Sequence, residues 1–141
     1  MSTEQNKAII RRWIDEGWNK GNLAVVDELY TANVVQHDPS SPMPVTSSAA
    51  LKGYVSTFRT AVPDLHFTVD DLLAEGDKVL WRFTSHGTQK GPLGPIPPTG
   101  KTATITGMVL FRFENGKVAE AWVNVDMLSL LQQLGVVPTM G

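Results

Sequence analysis

The chain has no cysteine among its 141 residues, which excludes disulfides, thiolate nucleophiles and cysteine-ligated metals. Charge is also scarce. Asp, Glu, Lys and Arg supply 18% of the sequence, against about 25% in ordinary soluble domains. The shortage points to surface withdrawn into a cavity or a subunit contact. The net charge of −2 is not gathered into runs, so nothing steers the protein toward phosphate backbones or anionic lipid, and neither nucleic acid nor membrane is an expected partner. No apolar run approaches membrane-spanning length. The stretch from Met1 to Trp13 is polar and places Arg11 and Arg12 where a secretory leader would need its apolar core. A cytoplasmic location is the expectation. The glycines between Gly87 and Gly100 are interleaved with prolines and precede no helix, so they form no phosphate fingerprint. His37, His66 and His86 lack ligand spacing, and no metal or cofactor is expected.

What is present is enough for a single domain over residues 1–141 with a sizeable core. Ser2 and Gln5 match a capping box ahead of an amphipathic helix carrying Ile10, Trp13, Ile14 and Trp18, which Lys20-Gly21 stops. Asn22 can cap a short second helix reaching Tyr30, and Val34 to His37 reads as a brief strand. A loop with Pro39, Pro42 and Pro44 follows. Ser47 or Ser48 can cap a third helix that Pro63 ends, with Leu51, Tyr54, Val55 and Phe58 on one side. From Leu65 the period becomes two. A strand over residues 65–69 leads through Gly76-Asp77 into a strand from Val79 to His86. Long strands then run from Thr102 to Phe113 and from Val118 to Val125, and Asp126 can cap a last helix stopping at Gly135. This order predicts an α+β fold: a conical barrel in which one strongly curved, mostly antiparallel sheet wraps around the N-terminal helices and encloses an apolar cavity.

Asn115-Gly116 leaves two registers for the last hairpin. A two-residue turn would pair Glu114 with Lys117 and hence Val109 with Trp122, mixing Glu120 and Asn124 with Val109 and Phe111. A three-residue loop with Gly116 in a bulge pairs Phe113 with Lys117 and Val109 with Ala121, and separates an apolar face from a polar one. The bulged register is therefore expected. It turns Gly107, Val109, Phe111, Ala121 and Val123 inward, with Trp81, Phe83 and Ser85 from the neighbouring strand. Trp13, Val35 and Phe58 complete the expected pocket lining. Its occupant would be a small apolar or aromatic molecule.

Trp18-Asn19-Lys20-Gly21-Asn22, Gln36-His37-Asp38-Pro39, Ala61-Val62-Pro63-Asp64-Leu65, Ile96-Pro97-Pro98-Thr99-Gly100-Lys101 and the run from Glu114 through Gly135 together resemble the SnoaL-like polyketide cyclases, or predicted ester cyclases. That family shares its conical barrel with ketosteroid isomerases and limonene epoxide hydrolases. The resemblance implies a cofactor-free pocket and a homodimer through the outer sheet face. It also implies an acid/base aspartate for aldol closure at position 123, a histidine at 121 and polar helpers at 107 and 109. This chain has Val123, Ala121, Gly107 and Val109 there, and none of these side chains can hold and release a proton.

Three readings follow. The first is a divergent cyclase-like or isomerase-like catalyst in which His37 or a bound water takes the place of the missing aspartate. The second is a binder of apolar small molecules without turnover. In the third, a repurposed or engineered cyclase scaffold carries a new serine/histidine site of esterase type. Ser48 with His37, or Ser85, would then be the nucleophile, and helix N-terminal amides would stabilise the oxyanion. Structural roles compete with each of these residues: strand-end hydrogen bonding for His37, helix capping for Ser48 and a local hydrogen bond for Ser85.

Overall fold

Ser2 opens the first helix with a reciprocal cap. Its hydroxyl accepts from the Gln5 N–H at 3.1 Å, and Gln5 Oε1 accepts from the Ser2 N–H at 2.8 Å. The structure, a computed structural model, describes residues 2–41 and 43–139. Met1, and Pro42 of the proline-rich loop, lie outside the described residues. Helix α1 (Thr3–Arg12) passes without a break into a π-helical segment, Trp13–Asn19. There the Lys20 N–H reaches the Asp15 carbonyl at 3.1 Å. Bonding across five residues sets Trp13 and Trp18 on the same side, and both are buried. Gly17 permits this packing, because a Cβ there would stand 2.2 Å from the Trp13 ring.

The remaining elements are α2 (Val25–Leu29), β1 (Tyr30–His37), α3 (Ser48–Ala61), β2 (His66–Phe67), β3 (Asp71–Glu75), β4 (Lys78–Thr88), β5 (Thr102–Glu114), β6 (Lys117–Val125) and α4 (Met127–Gln133). Asn22 does not cap α2, which starts at Val25 without a side-chain cap. The strand expected over residues 65–69 is reduced to β2. Beyond it the Thr68 and Asp70 amides still bond the Thr84 and Arg82 carbonyls, each at 2.9 Å, before β3 begins. Ser47 and Asp126 cap α3 and α4 through their side chains.

The sheet runs in the order β1-β6-β5-β4-β2, with β3 also on β4, and only β1 and β6 pair in parallel. Its inner face packs on α1, the π segment and α3 around one core that includes Ile10, Trp13, Leu51, Val55, Trp81 and Phe111. This is the α+β arrangement expected. Among the described residues no helix is long and apolar enough to cross a membrane.

The hairpin reaches the expected segregation by another route. Glu114 pairs with Lys117 across a two-residue turn in which Asn115 and Gly116 have φ of 50° and 80°, so the three-residue loop is not formed. The extra residue enters one step later, between the Phe113–Val118 and Arg112–Glu120 pairs. Val109 consequently lies opposite Val123, not Ala121. Because the shift restores the pleat, Val109, Phe111, Ala121 and Val123 are buried together, while Met108 and Asn124 are exposed.

Candidate active site

The strand directions bring the carboxyl ends of β1, β4 and β6 and the amino end of β5 to one end of the sheet. Residues just beyond those ends, including Asp38, Gln89, Lys101 and Met127, line a cavity of about 110 Å³. Its body is aromatic. Trp18 and Phe67 lie 4.8 Å apart between ring centroids, Phe67 and Phe83 5.0 Å, and Trp81 and Phe83 4.8 Å. Backbone anchors fix these rings. Trp81 Nε1 donates to the Thr68 carbonyl at 3.2 Å, and the Asn19 amide pairs with the Phe67 backbone at 2.8 and 3.0 Å. Rings held this way present flat apolar faces at little conformational cost.

Of the residues expected to line the pocket, Trp13, Phe58, Trp81, Phe83, Val109, Phe111 and Val123 do so, as does Ser85. Ala121 is fully buried beside Gln36 but does not reach the cavity. Gly107 is covered: it pairs with Phe83, and a Cβ on it would stand 2.4 Å from the Phe83 ring and 2.9 Å from the Asn124 carbonyl oxygen. The missing side chain on this wall is thus replaced by an aromatic ring, not by open space.

Val35 and His37 are on the other side of the sheet. Val34 is fully buried, so the pleat turns Gln36 and Asp38 inward and their odd-numbered neighbours outward. Val35 stands beside Glu120, and His37 beside Trp122. The exposed His37 ring stacks on Trp122 at 5.5 Å, and its Nε2 is 2.7 Å from Glu120 Oε2. That contact holds the Glu120 carboxyl below its ordinary range, with Arg112 adding to the effect. Ser48 is the first residue of α3, next to the Ser47 cap, and among the described residues no hydrogen bond joins a serine to His37. Ser85 is buried, while its neighbour His86 points outward to Thr104 Oγ1 at 2.8 Å.

The structure adds a polar group that the sequence reading passed over. Asp38 lines the cavity, its Oδ2 accepting from the Tyr54 hydroxyl at 2.6 Å and its Oδ1 from the Ser40 N–H at 2.9 Å and hydroxyl at 2.6 Å. Tyr54 is pushed far above the usual phenol range, first by burial, then by its hydrogen bond to Asp38 and that group's charge. It therefore stays a donor. Gln36, on the same face of β1, lines the cavity too, and its Nε2 is buried without a partner. A carboxylate fixed by donors beside an unpartnered amide N–H, within an aromatic pocket, can move a proton to or from a bound carbon acid. The signal was the alternation itself, since a buried Val34 implies an inward Gln36 and Asp38. Among the described residues no three His, Asp or Glu side chains converge as metal donors.

The sequence model of the SnoaL-like polyketide cyclase family matches residues 8–134. No curated protein matches the chain. Among solved structures, a candidate SnoaL-like polyketide cyclase from Jannaschia sp. CCS1 superposes with a TM-score of 0.88 at 25% identity, covering 96% of this chain and 95% of that one. A candidate polyketide cyclase from Acidithiobacillus ferrooxidans gives 0.83 at 30% identity, covering 96% and 98%. AclR from Streptomyces galilaeus, described as a candidate hydroxylase, gives 0.85 at 28% identity, covering 99% and 87%.

Proposed function

The chain belongs to the SnoaL-like polyketide cyclase family, and from that premise we propose that it is a cofactor-independent catalyst of proton transfer on a small aromatic or apolar carbonyl compound, with Asp38 as the acid/base. The observation that carries this reading is the Asp38 carboxylate lining a largely apolar, aromatic-rich pocket, oriented by Tyr54 and Ser40. The last-strand position where the family resemblance implies an aspartate is Val123, which can orient nothing and accept no proton.

In the proposed step the substrate lies against Trp81 and Phe83, and Asp38 removes a proton from the carbon next to a carbonyl. The C–H electron pair moves to the carbonyl oxygen, which gains a hydrogen bond from Gln36 Nε2 as negative charge develops there. Returning the proton to carbon gives an isomer or the starting compound, whereas attack of the enolate carbon on a second carbonyl closes a ring, the new alkoxide oxygen taking the proton back from Asp38. Tyr54 is a positioning residue. Its hydroxyl donates to Asp38 and keeps the carboxylate aimed into the cavity.

Exchange of the α-protons of 2-tetralone in D2O, followed by NMR, tests the step without requiring the natural substrate. Asp38→Asn keeps the shape and removes the base, so exchange is expected to fall by about 10²–10⁴-fold. Binding of the ketone, read from quenching of the pocket tryptophans, should stay within about threefold. Full exchange in the variant would exclude Asp38. If binding is intact but the wild-type protein produces no exchange, the pocket is a non-catalytic binder.

A further inference from the structure

Among the described residues, the cavity lining contains one carboxylate, Asp38, and one cation, Lys101. They are on different parts of the mouth: β1 and β5 are separated by β6, which places their axes roughly 10 Å apart. No ion pair joins Lys101 to Asp38 or to any other acid among the described residues, and its ammonium donates no hydrogen bond to protein there. Lys7, Lys52 and Lys78 are paired with Glu4, Asp27 and Asp77, whereas Lys90, just past β4, has no acid partner among the described residues but does not line the cavity.

The backbone around Lys101 is held rather than loose. The Gln89 N–H donates to the Lys101 carbonyl and the Gly100 N–H to the Gln89 carbonyl, both at 2.9 Å, and the Lys101 N–H donates to Thr99 Oγ1 at 3.2 Å. The Gln89 side chain, buried at 2% exposure, folds into the loop and accepts from the Thr99 hydroxyl at 2.7 Å. On the far side, Gly135 closes α4 with φ of 77°, and a Cβ there would lie 2.6 Å from Lys101 Nζ. The ammonium end of Lys101 therefore rests against this glycine, at the carboxyl end of α4. The side chains of the neighbouring lining residues Leu93, Leu130 and Leu134 are apolar and offer the ammonium no acceptor.

From these features we infer that Lys101 is an anion-recognition point for the substrate. The ligand class is an elongated molecule with an aromatic or apolar body for the cavity and a carboxylate at its outer end. This rests on the proposed reading of the cavity as the substrate site and adds the charge of the substrate to it. A cation on the rim selects and orients an incoming anion, while the aromatic walls supply most of the affinity. With the carboxylate on Lys101, the body of the ligand extends inward toward β1, where Asp38 waits.

A matched pair of probes tests the inference: 4-(2-naphthyl)butanoate and its methyl ester, which share the naphthyl body and chain and differ at the outer end, where the ester is uncharged and carries one added methyl group. Binding is read from tryptophan fluorescence of the full chain. The wild-type protein should bind the acid more tightly than the ester by about three- to tenfold at low salt, a preference that shrinks as salt is added. Lys101→Met should remove the preference by weakening the acid alone, and Lys101→Arg should retain it. Equal affinities in the wild-type protein, or an unchanged preference in Lys101→Met, would overturn the inference. Asp38→Asn should lose α-proton exchange yet keep the acid preference, so a failure of the proton-transfer reading and a failure of the Lys101 reading are separately visible.

Discussion

Both tyrosines of the chain are buried, and burial holds each phenol above its usual ionisation range. Tyr30 packs against Trp13 with ring centroids 5.1 Å apart, and Tyr54 donates to Asp38. The sign of the linkage is fixed by the direction of the shift. Below about pH 10, folded and unfolded chains both keep the phenol protons, and stability does not depend on them. Above it the unfolded chain releases protons that the folded chain retains, so stability falls as pH rises toward the folded-state values. Each tyrosine contributes a slope of about 1.4 kcal/mol per pH unit, and the two together about 2.7. Against a typical domain stability of about 5–15 kcal/mol, two units of alkaline exposure are a large fraction of the total. The assay is urea unfolding at steps from about pH 9 to pH 11.5, compared with Tyr54→Phe, whose slope should be shallower by about 1.4 kcal/mol per unit. Comparing slopes cancels the lysines and arginines common to both proteins. Native absorbance near 295 nm should stay flat until the protein unfolds. A phenolate signal rising in the native state near the ordinary tyrosine range would refute the burial of these hydroxyls, and with it the fixed donor on Asp38.

Two further outcomes follow from packing. Gly107→Ala places a methyl group against the Phe83 ring and the Asn124 carbonyl oxygen; thermal unfolding should register a loss of about 1–3 kcal/mol, and an unchanged midpoint would mean that the ring moves freely. Gln133 uses its side-chain amide like a strand, bonding the Thr104 N–H and carbonyl at 2.8 Å each on the edge of β5 left free beyond β6. In Gln133→Ala, hydrogen exchange of the Thr104 amide should accelerate by at least about tenfold while β4 protection is unchanged. Equal protection would show that α4 is held by its apolar face alone.

The elements that could be read from sequence were those with strong local signals. The Ser2–Gln5 cap, the Ser47 and Asp126 caps and the alternation of Trp81, Phe83 and Ser85 depend on neighbours a few residues away, and all formed as expected. The hairpin shows where this reasoning runs short. Segregation of polar from apolar residues identified the correct face, but it cannot distinguish a bulge at the turn from one placed a residue later, since both restore the same parity. The site was less legible. His37 attracted attention because imidazole titrates near neutrality, yet its orientation follows from the strand pleat and from the burial of Val34, not from its chemistry. Asp38 looks like an ordinary turn residue before a proline, and its Asx-type bonds to Ser40 make that role real. Alternation from Val34 turns it inward, but the bond that fixes its carboxylate comes from Tyr54, sixteen residues away on another element. No local pattern reports such a contact.

The most direct test of the account is the rate of 2-tetralone α-proton exchange in His37→Ala and Asp38→Asn, measured side by side. The inward carboxylate and outward imidazole predict near wild-type exchange in His37→Ala and a loss of about 10²–10⁴-fold in Asp38→Asn. The reverse pattern, with exchange lost in His37→Ala and retained in Asp38→Asn, would contradict it.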